Sequence, residues 1–315
     1  MLYRNLGRSG VKVSEIALGT WLTFGNATSD AEARGCIEEA YNCGINFFDT
    51  ADAYAVGDSE RVLGQALSQF ERDELFVATK VFYPMSQAIN DRGLSRKHIT
   101  HAIEGSLRRL GMDYIDLYQC HYFDEQTPLE ETVRAMNELI TRGKILYWGV
   151  SNWPTAMIRE ACAIADRLNA IRPISNQPEY NMLSRELERD VMPVCATEGL
   201  GLVVYSPLAQ GILTGKYKTL SQLPQNSRAA DSRQNESINH YLTQANLDKV
   251  EKLTKLAKAA GVTTANLALA WCLRRAEVAS LIIGASRIEQ VSENVMASGM
   301  RLTDDLVKEI DAAMA

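Results

Sequence analysis

The stretch Leu202-Val203-Val204-Tyr205-Ser206 decides how the rest of the chain is read. Three consecutive apolar residues, two of them β-branched, lead directly into a tyrosine and a serine. The run is too short for a helix and shows no polar alternation, so it reads as a strand covered on both faces. Leu281-Ile282-Ile283-Gly284 has the same form. Working outward from these two, runs of this kind recur at 15–19, 46–49, 75–79, 115–120, 145–150, 174–177, 202–205 and 281–284. Between them lie stretches of helical periodicity. Ser95 opens one in which Ile99, Ala102, Ile103, Ser106, Leu107 and Leu110 share a face. Ser29 with Glu32, and Ser286 with Glu289, have the spacing of a capping box. Thr127-Pro128-Leu129-Glu130 puts a proline at an expected first helical position, and Gly44, Gly111, Gly143 and Gly199 stand where helices should stop. Strands alternating with helices predict an α/β fold with a parallel sheet, and a count of eight fits a closed (β/α)8 TIM barrel. The barrel is expected to occupy 1–315 as one domain, preceded by a hairpin of 2–6 and 11–13. A polar, glycine-containing connection at 209–246 is longer than compact domains usually tolerate and reads as a functional lid or mobile loop.

The bulk properties suit this fold and exclude several functions. The 315 residues are 46% hydrophobic and 23% charged, an ordinary globular mixture. A net charge of -6 with no basic stripe argues against nucleic acid and anionic membrane as partners. No apolar run is long enough to insert in a membrane, and the start, Met1-Leu2-Tyr3-Arg4-Asn5, lacks the features of a signal peptide. The six cysteines are scattered without a CxxC pair, which predicts reduced thiols in a cytoplasmic protein and no metal site. His98 and His101 have helical spacing but no third ligand, so an exposed helix face is the expectation.

The informative residues come just after each strand. In order they are Thr20-Trp21, Asp49 with Tyr54, Lys80, His121, Ser151-Asn152, Gln177, Tyr205-Ser206 and Ala285-Ser286. In a barrel the C-terminal strand ends converge on one face, where active sites form. Singly, Asp49 reads as a cap, Lys80 as a loop lysine, His121 as a structural histidine and Tyr54 as a packed ring. Together on one rim they read as chemistry. A phenol titrates near pH 10, too high for proton transfer near neutrality, and a neighbouring ammonium lowers it. Lys80 is therefore expected to lower Tyr54, Asp49 to hold Lys80, and His121 to orient a carbonyl oxygen. No GxGxxG follows the first strand, so a Rossmann site is not indicated. Phosphate binding is expected instead after the seventh and eighth strands, where Gly211-x-x-x-Gly215-Lys216 and Gly284-Ala285-Ser286-Arg287 offer backbone N–H groups and cations.

At these residues the sequence resembles the aldo-keto reductase superfamily, in particular the branch that contains the voltage-gated potassium channel beta subunits. The resemblance runs through Tyr3-Arg4-Asn5-Leu6-Gly7, Leu18-Gly19-Thr20-Trp21, the segment from Gly44 to Ala51, the segment from Gly93 to Ile99, the segment from Glu130 to Met136, Ser206-Pro207-Leu208-Ala209, Gly215-Lys216-Tyr217 and Gly284-Ala285-Ser286. It implies an NADPH/NADP+ barrel reducing small aldehydes or ketones, with Asp49, Tyr54, Lys80 and His121 as the catalytic tetrad. It puts nicotinamide contacts on Ser151, Asn152, Gln177 and Tyr205. Ser206, Leu208, Gly211, Leu213 and Lys216 would line the pyrophosphate, and Arg228, Ser286, Arg287, Gln290, Glu293 and Asn294 the adenosine end. Trp21, Phe82, Tyr83 and Tyr122 would flank the substrate. Channel subunits of that branch usually carry Asn where this chain has His121, which favours an ordinary reductase. On the resemblance alone a homo-oligomer is expected. Two rivals remain: a Schiff-base enzyme with Lys80 as nucleophile, and an NADPH-binding redox sensor that turns over slowly.

Overall fold

The computed structural model describes residues 1–25, 28–225, 227–231 and 235–315. Strands β1 (Tyr3–Asn5) and β2 (Lys12–Ser14) form an antiparallel hairpin. Eight further strands follow: β3 (Ile16–Gly19), β4 (Phe47–Asp49), β5 (Phe76–Val81), β6 (Ile115–Cys120), β7 (Ile145–Ser151), β8 (Ser175–Gln177), β9 (Gly201–Val204) and β10 (Val278–Ile283). Each pairs in parallel with the next, and β10 pairs with both β9 and β3, so the sheet closes into a barrel. The expected eight-stranded parallel barrel with an N-terminal hairpin is what the chain forms.

Among the described residues ten α-helices surround it: α1 (Asp30–Asn42), α2 (Asp58–Leu67), α3 (Arg96–Leu110), α4 (Leu129–Thr141), α5 (Thr155–Arg167), α6 (Val191–Glu198), α7 (Gln244–Ala259), α8 (Thr264–Leu273), α9 (Ile288–Val295) and α10 (Asp304–Met314). The Ser29–Glu32 capping box opens α1, with both reciprocal bonds made. Ser95 caps α3, and Gly111 and Gly199 close α3 and α6 in the left-handed conformation expected of such ends. No single helix among the described residues is long and apolar enough to cross a membrane.

Apolar side chains fill two layers. The larger core lies between barrel and helices and includes Trp148, Tyr180 and Trp271, all fully buried. The smaller one plugs the barrel floor, where Leu6 and Val13 of the hairpin meet Phe47, Phe76, Leu117 and Val203. Phe47 and Phe76 meet there edge to face, 5.0 Å apart. The hairpin can seat this deeply because Gly7 has no side chain: a Cβ there would lie 2.3 Å from the Gly199 carbonyl oxygen. These side chains fill the floor, and the cavity opens at the opposite rim.

Several local expectations need correction. β5 runs on through Val81, which puts Lys80 inside a strand rather than beyond it. β10 starts at Val278, because the Ser280 hydroxyl that breaks the apolar run is buried and bonded to the Ser14 carbonyl at 2.7 Å. Pro128 is the cap of α4, one position outside the helix. Ser286 does not cap α9 with Glu289: the helix starts at Ile288, and the Ser286 backbone N–H donates to Gln290 Oε1 at 2.8 Å. His98 is not on an exposed face but fully buried, with the Asp91 carboxylate 3.4 Å from its Nδ1.

Candidate active site

Lys80 organises the centre of the rim. Its side chain is wholly buried in the barrel mouth. An ammonium has three protons to donate, and here each has an acceptor: Asp49 Oδ1 at 2.5 Å, the Thr50 carbonyl at 2.8 Å and the Tyr54 hydroxyl at 3.1 Å. Asp49 in turn accepts through Oδ2 from Gln177 Nε2 at 2.8 Å and Gln119 Nε2 at 3.4 Å. Because Tyr54 receives a hydrogen bond from Lys80, its own O–H proton is free to point into the open space above.

His121 stands beside this group, directly after β6. Its ring meets Tyr54 edge to face at 5.5 Å and Tyr83 at 4.9 Å. Burial, together with the Lys80 charge, holds the imidazole well below its usual range, so it is neutral near pH 7. Its Nδ1 is buried without a hydrogen-bond partner. A buried bare lone pair is less costly than a buried unpaired N–H, so the proton belongs on Nε2. A neutral donor thus sits next to the Tyr54 hydroxyl.

The electrostatics differ from expectation at one point. Burial raises the Tyr54 hydroxyl above its ordinary value, and the Lys80 ammonium offsets only part of this. Burial pulls Lys80 down, yet Asp49 and Tyr54 outweigh it and the ammonium ends above its usual range. The phenol is therefore held protonated and the lysine charged.

A cavity of about 1220 Å³ opens over these groups. Asp49, Tyr54 and His121 line its floor, with Trp21, Tyr83 and Tyr122 around them. Ser151, Asn152, Gln177 and Tyr205 come next; Ser151 Oγ donates to the Gln177 carbonyl at 2.8 Å, and Tyr205 bonds Asn152 at 3.3 Å. The far end is lined by Ser206, Leu208, Gly211, Lys216, Arg228, Ser286, Arg287, Gln290, Glu293 and Asn294. Lys80 lies just behind the wall. Two candidates fall outside: Leu213 is fully buried in the core, and Phe82 stands behind Tyr83 and Tyr122, at 5.2 and 6.0 Å between rings.

The cavity also holds residues that the sequence did not single out. Gln210 accepts from Arg228 and donates to Ser206 Oγ at 2.5 Å, bridging two walls. Thr23, Thr214, Gln225, Ser227 and Asp231 line it as well. Much of the irregular connection after β9 therefore forms cavity wall. Below the tetrad, Asp52 is fully buried with neither carboxyl oxygen hydrogen-bonded, and burial together with nearby Glu60 pushes its pKa well above the carboxylate range. Backbone strain offered a signal that spacing could not. Of the eight described non-glycine residues with positive φ, seven (Leu22, Ala55, Val56, Asn152, Ser206, Ala209 and Gln210) lie in loops at this rim. Such conformations cost energy and persist where a functional geometry imposes them.

Lys216, Arg228 and Arg287 converge on the far end. Burial and the repulsion of the other two cations pull Lys216 below its usual range, and burial does the same to Arg228. Mutually repelling cations in a cleft form an anion site, so the residues present at this end fit a phosphate-bearing group.

A closed barrel with an Asp–Lys–Tyr–His rim and a basic far end defines an oxidoreductase-like centre, and comparison with known proteins agrees. Residues 15–315 match the model of the Aldo/keto reductase family, and the chain belongs to that family. It is 44% identical over 319 aligned positions to a protein of Oryza sativa subsp. japonica named as a probable voltage-gated potassium channel subunit beta, covering 100% of this chain and 97% of that one. A protein of the same description in Arabidopsis thaliana is 44% identical, with 94% and 91% covered. A putative voltage-gated potassium channel subunit beta of Schizosaccharomyces pombe is 42% identical, with 98% and 92% covered.

Proposed function

We propose that the protein is an NADPH-dependent reductase of aldehydes and ketones. The observation that carries this reading is the Lys80 ammonium, fully donated to Asp49, Thr50 and Tyr54, beneath a cavity whose other end gathers three cations. A bound nicotinamide supplies the hydride. The chain's own residues do the rest. Tyr54 gives its proton to the substrate oxygen, and the charge left on its oxygen is met by the Lys80 N–H already aimed at it. Asp49 keeps Lys80 in place and charged. His121, neutral and protonated on Nε2, holds the carbonyl oxygen by a hydrogen bond. Ser151, Asn152, Gln177 and Tyr205 would hold the nicotinamide end of the cofactor, and Lys216, Arg228 and Arg287 would bind its phosphates. The third cation is the reason to favour NADPH over NADH.

The test follows absorbance of the reduced cofactor with a panel of aldehydes, wild type beside Tyr54→Phe. Multiple turnovers that collapse in the variant support the reading. NADPH binding with no turnover beyond one equivalent refutes it and favours a second reading, in which the protein is a redox-sensing subunit. The descriptions of the plant and fission-yeast relatives as channel subunits are the observation behind that alternative. Covalent trapping with borohydride would instead point to Schiff-base chemistry at Lys80, which its three hydrogen bonds disfavour.

A further inference from the structure

Charge is segregated along the cavity. Lys216, Arg228 and Arg287 all come from the connection after β9 and the turn after β10. The walls around the tetrad come from the loops after β3, β5 and β6, and they are aromatic. Trp21, Tyr83 and Tyr122 are 41%, 40% and 47% exposed. The Trp21 ring lies 6.5 Å from Tyr54, tilted 38°, so the rim continues in rings right up to the reacting hydroxyl.

No described cation lines this end of the cavity. Lys80 is close, but all its protons are taken and its side chain is covered. Asp49, which also lines the floor, neutralises that ammonium rather than leaving it to a ligand. An anionic substrate would lose its hydration there and gain no cationic counter-charge. A flat neutral substrate would gain contact area against the aromatic rings at little cost.

We infer that the substrates are uncharged, flat aromatic aldehydes and ketones, and that the tetrad end of the cavity selects against carbonyl compounds carrying a carboxylate or phosphate. Trp21, Tyr83 and Tyr122 set this preference. The inference rests on the reductase reading above and narrows its substrate class.

The experiment compares kcat/KM for 4-formylbenzamide and 4-carboxybenzaldehyde, which match in size and differ in charge, at saturating NADPH. The expected result is at least about a tenfold preference for the amide, the scale set by an uncompensated charge in a partly desolvated site. A smaller preference overturns the inference while leaving the reductase reading intact. If neither aldehyde, nor any neutral one, is turned over, the reductase reading itself fails. Tyr122→Arg then separates the electrostatic cause from intrinsic reactivity. It puts a cation on an exposed loop position at this end and should raise the carboxylate:amide ratio at least roughly fivefold. An unchanged ratio in a folded variant that still reduces the amide would show that charge at this wall does not govern selection.

Discussion

Tyr54 Oη lies 3.1 Å from Lys80 Nζ and is the acceptor of that contact, so the tyrosine keeps its own proton for the cavity. The direction of this bond matters more than its length. A tyrosine that donated to a neighbour would have its proton occupied; this one receives, and burial holds it protonated. Tyr54→Phe removes the proton and little else. It should fold with wild-type stability, bind NADPH normally and reduce carbonyls roughly 10²–10⁴-fold more slowly, the usual contribution of general acid catalysis. Lys80→Met should differ. It leaves Asp49 buried without its counter-ion, a loss of about 3–5 kcal/mol, so both activity and denaturation midpoint fall. Equal stability of the two variants would contradict the assigned roles.

Asp52 is fully buried, with neither carboxyl oxygen in a hydrogen bond of normal geometry. Its pKa is raised in the folded protein well above the ordinary 3.8. The folded state therefore binds more protons than the unfolded chain above that pH, and stability is lost as pH rises through the interval. Asp52→Asn keeps the shape without the titration. It should be more stable than wild type at pH 7 by about 1–3 kcal/mol, and the gain should shrink as the pH is lowered. Thermal melts at stepped pH read this directly, and a gain independent of pH would argue against a titrating Asp52.

Two histidines work in the opposite direction. Burial holds both His98 and His121 below the usual 6.5. Below that pH the unfolded chain takes up protons that the folded chain refuses, so stability falls as the medium is acidified, by up to about 1.4 kcal/mol per pH unit for each group. His98→Gln should flatten the loss between pH 6.5 and 5 without changing the order of substrate preference, because His98 lies outside the cavity. A variant as acid-sensitive as wild type would assign the effect elsewhere.

At the far end, Arg287→Ala should weaken NADPH binding by roughly 1.5–3 kcal/mol, the worth of a hydrogen bond to a charged group. NADH binding should change far less. Titration of both cofactors against wild type and variant checks this. Equal losses would mean that Arg287 serves a phosphate common to both.

Much of the fold was legible in one dimension because it depends on local pattern. Short apolar runs such as Leu202-Val203-Val204 can satisfy their backbone only in a sheet covered on both faces, and eight of them in alternation with helices leave few topologies. Asp49, Lys80 and His121 were legible for a related reason. A parallel strand delivers its last side chains to a known rim, so their meeting followed once the strands were placed.

What the sequence could not decide were the consequences of depth. The family resemblance put Phe82 and Leu213 in the cavity, and helical spacing put His98 on a surface, but which side of a loop or helix faces solvent depends on what packs over it. Ser286 had the spacing of a cap; Gln290 competed for its backbone N–H. The expected lowering of Tyr54 by Lys80 is a pairwise argument, and burial, a property of the whole fold, reversed its sign. The sequence alone determined which chemical groups reach the rim, because strand order and period are local. The tertiary structure alone decided their protonation, their hydrogen-bond direction and the separation of cationic from aromatic walls, because dehydration and proximity exist only once distant segments close on one another.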